Sequence, residues 1–338
     1  MAGQNPREAP TRHQQHSMQG SRHLLLSARD APLALETVRH PPNLSPLTQE
    51  NSHMLVFMFP GQGSQFPGMG KELFDASRIF GALESRIDQI AGFPVRDTCL
   101  NADESTLQRT EITQPCLYVV NALTLEQTLA AGRRPDCFIG HSLGEYNALQ
   151  AAGAFDLLTG LRIVTRRGQL MAEQREGGMM AVIGLDEKAV SRHLEAFPDA
   201  EIANVNAPDQ IVISGAVAAL EEASEGLIEA GAMACIPLAV GAAFHSRFME
   251  PATDALAQFL RDIPFRALRV EVISNVTALP YPKEPDQEIR SLLVRQLASR
   301  VLFAPAIARL KARTGVEFIE VGPGKVLTRL VEKIPGRP

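Results

Sequence analysis

The stretch Cys137-Phe138-Ile139-Gly140-His141-Ser142-Leu143-Gly144-Glu145-Tyr146-Asn147-Ala148-Leu149 constrains the fold more than any other part of the chain. Its apolar first residues read as a short buried strand, and Leu143 to Leu149 read as the opening turns of a helix. Between them, Gly140, Ser142 and Gly144 spell Gly-x-Ser-x-Gly. In such an elbow the serine sits where strand becomes helix. Flanking glycines leave room for a strained backbone and for close packing of helix on strand. The hydroxyl projects outward, and the first helical N–H groups point at whatever binds it. That is the local geometry a serine nucleophile needs. The five-residue pattern alone arises by chance, and an ordinary Gly-Ser turn competes with it. The apolar residues before it and the helix formers after it favour a catalytic Ser142.

A strand that turns directly into a helix belongs to an α/β fold, and 338 residues suffice for one large or two smaller domains. Acidic and basic residues are mixed along the chain, for a net charge of −5, with no basic block suited to a nucleic acid. Cys99, Cys116, Cys137 and Cys235 are widely spaced and form no Cys-x-x-Cys pair. They read as free thiols in a reducing compartment, and no metal site is expected. No apolar run approaches membrane-spanning length, and His23-Leu24-Leu25-Leu26 is too short for a signal-peptide core. The expectation is a soluble cytoplasmic protein, and a monomer, since no helix carries a coiled-coil repeat. Residues 1–53 are rich in Gln, Pro, Ser, Arg and His and show no sustained periodicity. They read as a disordered extension or linker, with a histidine-rich metal site as the weaker reading.

Leu55-Val56-Phe57-Met58-Phe59 is a fully apolar strand suited to the centre of a parallel sheet. The loop Pro60-Gly61-Gln62-Gly63-Ser64-Gln65 follows. It lacks the third glycine of a dinucleotide fingerprint, and no Gly-Lys-Ser/Thr follows. It reads instead as a loop at the sheet's carboxyl edge that gives backbone N–H groups to a reaction centre. Helical patterns cover about 70–92 and 116–131, with Pro115 expected in the first turn of the second. Another helix starts after Phe155 and carries Arg162, Arg166 and Arg167. From Met179 the order becomes strand (Met180 to Leu185), helix (Glu187 to Phe197), two strands (Ile202 to Asn206, Gln210 to Ser214), helix (Val217 to Ala230) and strand (Ala232 to Val240). That βαββαβ order is ferredoxin-like. The expected organisation is therefore a large α/β domain over 54–178 and 239–334, with a ferredoxin-like subdomain inserted at 179–238. After Gly241-Ala242-Ala243-Phe244-His245-Ser246 come a helix to about Asp262, a strand Val270 to Asn275 and helices over Glu288 to Ala298 and about 305–313. A strand Phe318 to Val321 and a terminal helix complete the pattern.

A serine hydroxyl needs a base. Outside the first 53 residues only His141, His193 and His245 remain. His141 directly precedes the serine and should point away from it, and His193 lies on the polar face of a helix as a solvated bystander. His245 sits in a small-residue loop after a strand, where a side chain reaches a cleft, and it is the candidate base. A histidine that buttresses the following helix is the bland alternative.

Taken together, Phe59 to Gln65, Gly140 to Tyr146, Arg167 with Met171, Phe244-His245-Ser246 and Glu320-Val321-Gly322-Pro323-Gly324-Lys325-Val326-Leu327 resemble the malonyl-CoA:acyl-carrier-protein transacylases over about 54–334. Thr113-Gln114-Pro115, Asn206 to Gly215 and Ile273 to Ala278 add a likeness to the trans-acting acyltransferases of modular polyketide synthases. The resemblance implies a hydrolase-like large domain with a parallel sheet. It also implies ping-pong transfer of malonyl from malonyl-CoA to the phosphopantetheine thiol of an acyl carrier protein, with no bound cofactor. It assigns Ser142 as nucleophile, His245 as base, the backbone N–H groups of Gln62 and Leu143 as oxyanion hole and the backbone carbonyl of Gln296 as orienter of the histidine. Arg167 would pair with the malonyl carboxylate, and Phe244 and Met171 would tune selectivity toward unbranched malonyl.

A proofreading hydrolase of acyl carrier proteins would use the same Ser142 and His245 with water as acceptor. Arg167 argues against it, because a carboxylate clamp is left unpaired by a simple acyl chain. A lipase-like or patatin-like hydrolase would share the elbow but not need His245. A non-enzymatic docking module would need none of the three residues.

Overall fold

The computed structural model describes residues 53–282 and 286–336. The reading of 1–53 as an extension or linker thus falls, His53 apart, outside the described residues. The strands are β1 (Met54–Phe59), β2 (Cys137–Gly140), β3 (Gly178–Ile183), β4 (Ala200–Ala207), β5 (Gln210–Gly215), β6 (Ala234–Pro237), β7 (Glu271–Ile273) and β8 (Val316–Glu320). The first helices are α1 (Lys71–Ala76), α2 (Arg78–Ala91), α3 (Val95–Asn101), α4 (Glu104–Gln108), α5 (Thr110–Ala130), α6 (Gly144–Ala152) and α7 (Leu157–Glu173). Then follow α8 (Glu187–Leu194), α9 (Val217–Glu229), α10 (Glu250–Leu260), α11 (Asp286–Gln296), α12 (Phe303–Lys311) and α13 (Val326–Lys333).

Two sheets result. The first is parallel, in the order β7-β2-β1-β8. Its central strands are apolar on both faces, as a sheet covered on both sides requires. Val56 lies opposite Cys137 and Phe59 opposite Gly140, so the loops after β1 and β2 leave the sheet side by side. The second sheet is antiparallel in the order β4-β5-β3-β6, with α8 and α9 packed on it. That is the ferredoxin-like arrangement read from the element order. No helix among the described residues is long and apolar enough to cross a membrane.

The structure corrects several helix boundaries. The helix expected over 70–92 is two helices broken at Ser77, whose backbone is extended and whose Oγ accepts the Phe80 N–H at 3.0 Å. A serine makes a better N-cap than a helix interior residue, because its hydroxyl satisfies a donor that has no intrahelical partner. The second helix begins at Thr110, so Pro115 lies in its second turn and not its first. Only one early hydrogen bond is lost there, and the Thr113 hydroxyl anchors the start by donating to the carbonyls of Leu107 (2.5 Å) and Arg109 (2.9 Å).

Candidate active site

The carboxyl ends of β1 and β2 bring the Pro60–Ser64 loop against the elbow, where the His141 N–H donates to the Phe59 carbonyl at 3.0 Å. Ser142 has φ 49°, a left-handed conformation that costs a non-glycine residue energy. Three side-chain bonds from other elements hold the elbow, two of them to Ser142 itself. Asn275, just beyond β7, accepts the Ser142 N–H at 2.8 Å through Oδ1 and donates Nδ2 to the Gly140 carbonyl at 2.7 Å. Gln296 Nε2 donates to the Ser142 carbonyl at 2.9 Å.

His245 is buried, also at positive φ (60°), and its Nε2 lies 2.7 Å from Ser142 Oγ. Its Nδ1 is 2.9 Å from the Gln296 carbonyl. A carbonyl accepts only, so Nδ1 carries the proton and Nε2 is left as the acceptor facing the serine hydroxyl. Burial, and then the Arg167 cation, push the imidazole down to about 3, which keeps it neutral and able to take a proton.

Arg167, on α7, is 1% exposed. Its Nη1 donates to Gln114 Oε1 at 2.8 Å, and Nη2 donates to Ser142 Oγ at 3.1 Å and Gln296 Oε1 at 3.0 Å. The guanidinium lies 5.3 Å from the centre of the Tyr146 ring, and its Nε has no partner among the described residues. Burial lowers its pKa, yet a guanidinium stays charged at neutral pH. Its hydrogen-bond partners among the described residues, Gln114, Ser142 and Gln296, are all neutral. The neighbouring Arg166, by contrast, pairs with Glu173 at 3.6 Å on the surface.

A small cavity of about 80 Å³ opens beside Ser142. Gln62, Leu143, Arg167, Met171, Phe244 and His245 line it from one side, and Met179 and Asn204 of the antiparallel sheet close it together with Leu238 and Val240 from the segment after β6. Met171 Sδ accepts from Gln114 Nε2 at 3.3 Å, which fixes that wall. Around the elbow the Gly144, Glu145 and Tyr146 N–H groups are taken by backbone carbonyls, while those of Gln62 and Leu143 donate to no other group among the described residues. Two free N–H groups next to the serine can donate to a developing oxyanion. No cluster of three or more His, Cys, Asp or Glu suited to a metal occurs among the described residues.

The structure thus gathers Ser142, His245, Arg167, Gln62, Leu143, Gln296, Phe244 and Met171 at one place. His141 points the other way, with Nε2 2.7 Å from Asn206 Oδ1 and its ring 5.5 Å from that of Phe303. His193 is not a solvated bystander. It is half-buried, bonded to the Ala223 carbonyl at 3.1 Å and packed 5.3 Å from Phe197, because glycine at 226 leaves room for the ring between α8 and α9. Sequence reasoning missed Gln114, Glu145, Asn275 and the side chain of Gln296. Glu145, fully buried, accepts from the Asn275 N–H (2.9 Å), the Tyr281 hydroxyl (2.8 Å) and Gln296 Nε2. Burial raises its carboxyl to about 7 against these donors. The available signal was a polar residue inside an otherwise apolar helical stretch, which has to be buried with a partner.

The acyl transferase domain family matches this chain over residues 56–334, and the chain belongs to that family. It is 44% identical over 287 residues to the Bacillus subtilis polyketide biosynthesis malonyl CoA-acyl carrier protein transacylase PksC, covering 83% of this chain and 97% of that one. It is 43% identical over 285 residues to the polyketide biosynthesis protein PksE of the same organism, of which it spans only 36%. Among solved structures, the malonyl CoA-acyl carrier protein transacylase of Burkholderia pseudomallei superposes with a TM-score of 0.79 at 41% identity, covering 84% of this chain and 98% of that one.

Proposed function

We propose that the protein transfers a malonyl group from malonyl-CoA to the phosphopantetheine thiol of an acyl carrier protein, as a stand-alone acyltransferase for polyketide or fatty acid synthesis. One observation carries this reading: a buried, anion-free guanidinium lies 3.1 Å from the same Ser142 oxygen that His245 Nε2 approaches at 2.7 Å. A serine–histidine pair does acyl transfer, and a cation beside it selects an acyl group that ends in a carboxylate.

His245 Nε2 takes the Ser142 proton as Oγ bonds to the thioester carbonyl carbon. The oxyanion is received by the Gln62 and Leu143 N–H groups. The C–S bond breaks, the proton passes from Nε2 to the leaving thiolate, and CoA departs. The pantetheine thiol of the carrier protein then gives its proton to His245 and attacks the malonyl-serine ester, and Ser142 recovers its proton. Arg167 holds the malonyl carboxylate throughout. Phe244 and Met171 crowd the α-carbon and disfavour a branched unit. The buried guanidinium disfavours the hydrolase reading, since a plain acyl chain gives it no counter-charge. The free thiols and CoA chemistry fit a cytoplasmic setting.

Intact-protein mass spectrometry tests this. Brief mixing with malonyl-CoA, methylmalonyl-CoA and acetyl-CoA in competition should leave a malonyl adduct, absent in Ser142→Ala, that discharges onto added carrier protein faster than into water. An adduct lost to water without carrier transfer would instead make the protein a hydrolase.

A further inference from the structure

Arg167 is a buried cation whose nearest buried carboxylate, Glu145, does not touch it. Between them stands the Gln296 amide. Its Oε1 accepts from Arg167 Nη2 at 3.0 Å, and its Nε2 donates to Glu145 Oε2 and to the Ser142 carbonyl at 2.9 Å. A guanidinium only donates, while a carboxylate and a carbonyl only accept. The amide therefore has one workable orientation, because flipping it would set donor against donor and acceptor against acceptor. Gln296 is fully buried, so no solvent relieves a wrong choice. Glu145 is occupied on its other side by the Asn275 N–H and the Tyr281 hydroxyl.

Opposite charges that lose their hydration together are normally driven into contact. A direct Arg167–Glu145 pair would satisfy both ions, and an incoming substrate carboxylate would then have to displace Glu145. With the amide between them, the cation is held by neutral acceptors, and a carboxylate entering the cavity is its first anionic partner. We propose that the Gln296 side chain is a positioning residue that insulates Arg167 from Glu145 and so preserves the preference for acyl groups bearing a carboxylate. The inference rests on the reading of Arg167 as the partner of the malonyl carboxylate. The main-chain carbonyl of the same residue holds His245, so one residue serves the nucleophile's base and the selecting cation through different atoms.

The test is Gln296→Glu, which keeps the shape of the side chain and sets a carboxylate on Arg167. Loading of Ser142 from malonyl-CoA and from acetyl-CoA is timed separately by intact-protein mass spectrometry. The ratio of malonyl to acetyl loading rates should fall by about tenfold or more, because an acetyl group offers the cation no carboxylate, while the Arg167 contact with Ser142 Oγ is common to both substrates. An unchanged ratio, including an equal fall in both rates, would overturn the proposal. The new carboxylate also faces Glu145 and the Ser142 carbonyl, both acceptors, and lowers stability. The exchange Glu145→Gln with Gln296→Glu restores an amide–carboxylate contact there while keeping the carboxylate on Arg167. It should recover part of the lost thermal stability, since only the contact at the Ser142 carbonyl stays unmade, but not malonyl preference, and recovery of the wild-type ratio would sink the idea. Arg167→Ala separates this proposal from the reading beneath it. Equal losses of malonyl and acetyl loading in Arg167→Ala would remove Arg167 as the carboxylate partner. A malonyl-specific loss there, with the ratio intact in Gln296→Glu, would remove the insulator alone.

Discussion

Ser142 and His245 both hold backbone conformations with positive φ, each costing on the order of 1–3 kcal/mol for a residue with a side chain. At Ser142 the cost is offset by neighbours that bond both its N–H and its carbonyl. Those neighbours also set how the site responds to pH. His245, held near 3 by burial and by Arg167, stays neutral where a free histidine titrates. Glu145, raised to about 7, is the group that gains a proton as pH falls through neutrality, and a protonated carboxyl no longer accepts from every donor around it. The acetyl-loading rate should therefore show a limb near neutral pH that disappears in Glu145→Gln, as followed by quenched mass spectrometry across about pH 5–8. A limb that persists in Glu145→Gln would assign it to His245. Ser142 was legible because its motif is local, and His245 and Arg167 because few histidines and one resembling motif were on offer. Glu145 and Asn275 were not legible: they meet across 130 residues of sequence, and nothing near either in the chain announces the other.

At the scale of an element, the elbow depends on how closely α6 sits against the sheet. A Cβ at Gly144 would lie 1.9 Å from the Phe59 carbonyl oxygen, and both clashing partners are backbone that cannot rotate aside. Gly81, on the exposed face of α2, has nothing within 4 Å of the same position. Gly144→Ala should lower the melting temperature and abolish the acyl-serine adduct by lifting the helix off β1. Gly81→Ala should stabilise by about 0.5–1 kcal/mol, because alanine loses less backbone freedom in a helix. Thermal unfolding of the two variants checks both, and similar shifts in both would mean the elbow is looser than its packing indicates. The elbow strand and helix were readable from their apolar run and glycines. The break at Ser77 was not, since a serine fits a helix pattern and a cap equally well until the turn of chain around it is known.

At the scale of the molecule, the alternation along β1 and β2 divides the interior. Phe57, Phe59 and Phe138 pack with α5, α6, α7 and α10, whereas Val56, Met58, Cys137 and Ile139 face a second core. That second core also contains Val182, Ile202, Ile211 and Ile213 of the antiparallel sheet, with Phe303 and Leu310 of α12 and Leu330 of α13. The order of elements disclosed a βαββαβ unit, but which surface it packs on depends on contacts distant in sequence. Backbone bonds reinforce the junction, with the Val205 N–H donating to the Val301 carbonyl (3.0 Å) and the Val301 N–H to that of Ala203 (2.8 Å). Neither sheet can lose its structure without exposing the apolar face of the other, so the two should unfold together. Phe303 lies in this shared core, fully buried, and its ring also rests against His141 beside the nucleophile. Phe303→Ala should cost about 3–5 kcal/mol and lower the melting temperature by about 5 °C or more. Calorimetry should still record one transition, moved as a whole, with loss of acyl loading following the same curve. Two resolved transitions, with only the earlier one sensitive to Phe303→Ala, would instead make the antiparallel sheet a separately folding unit.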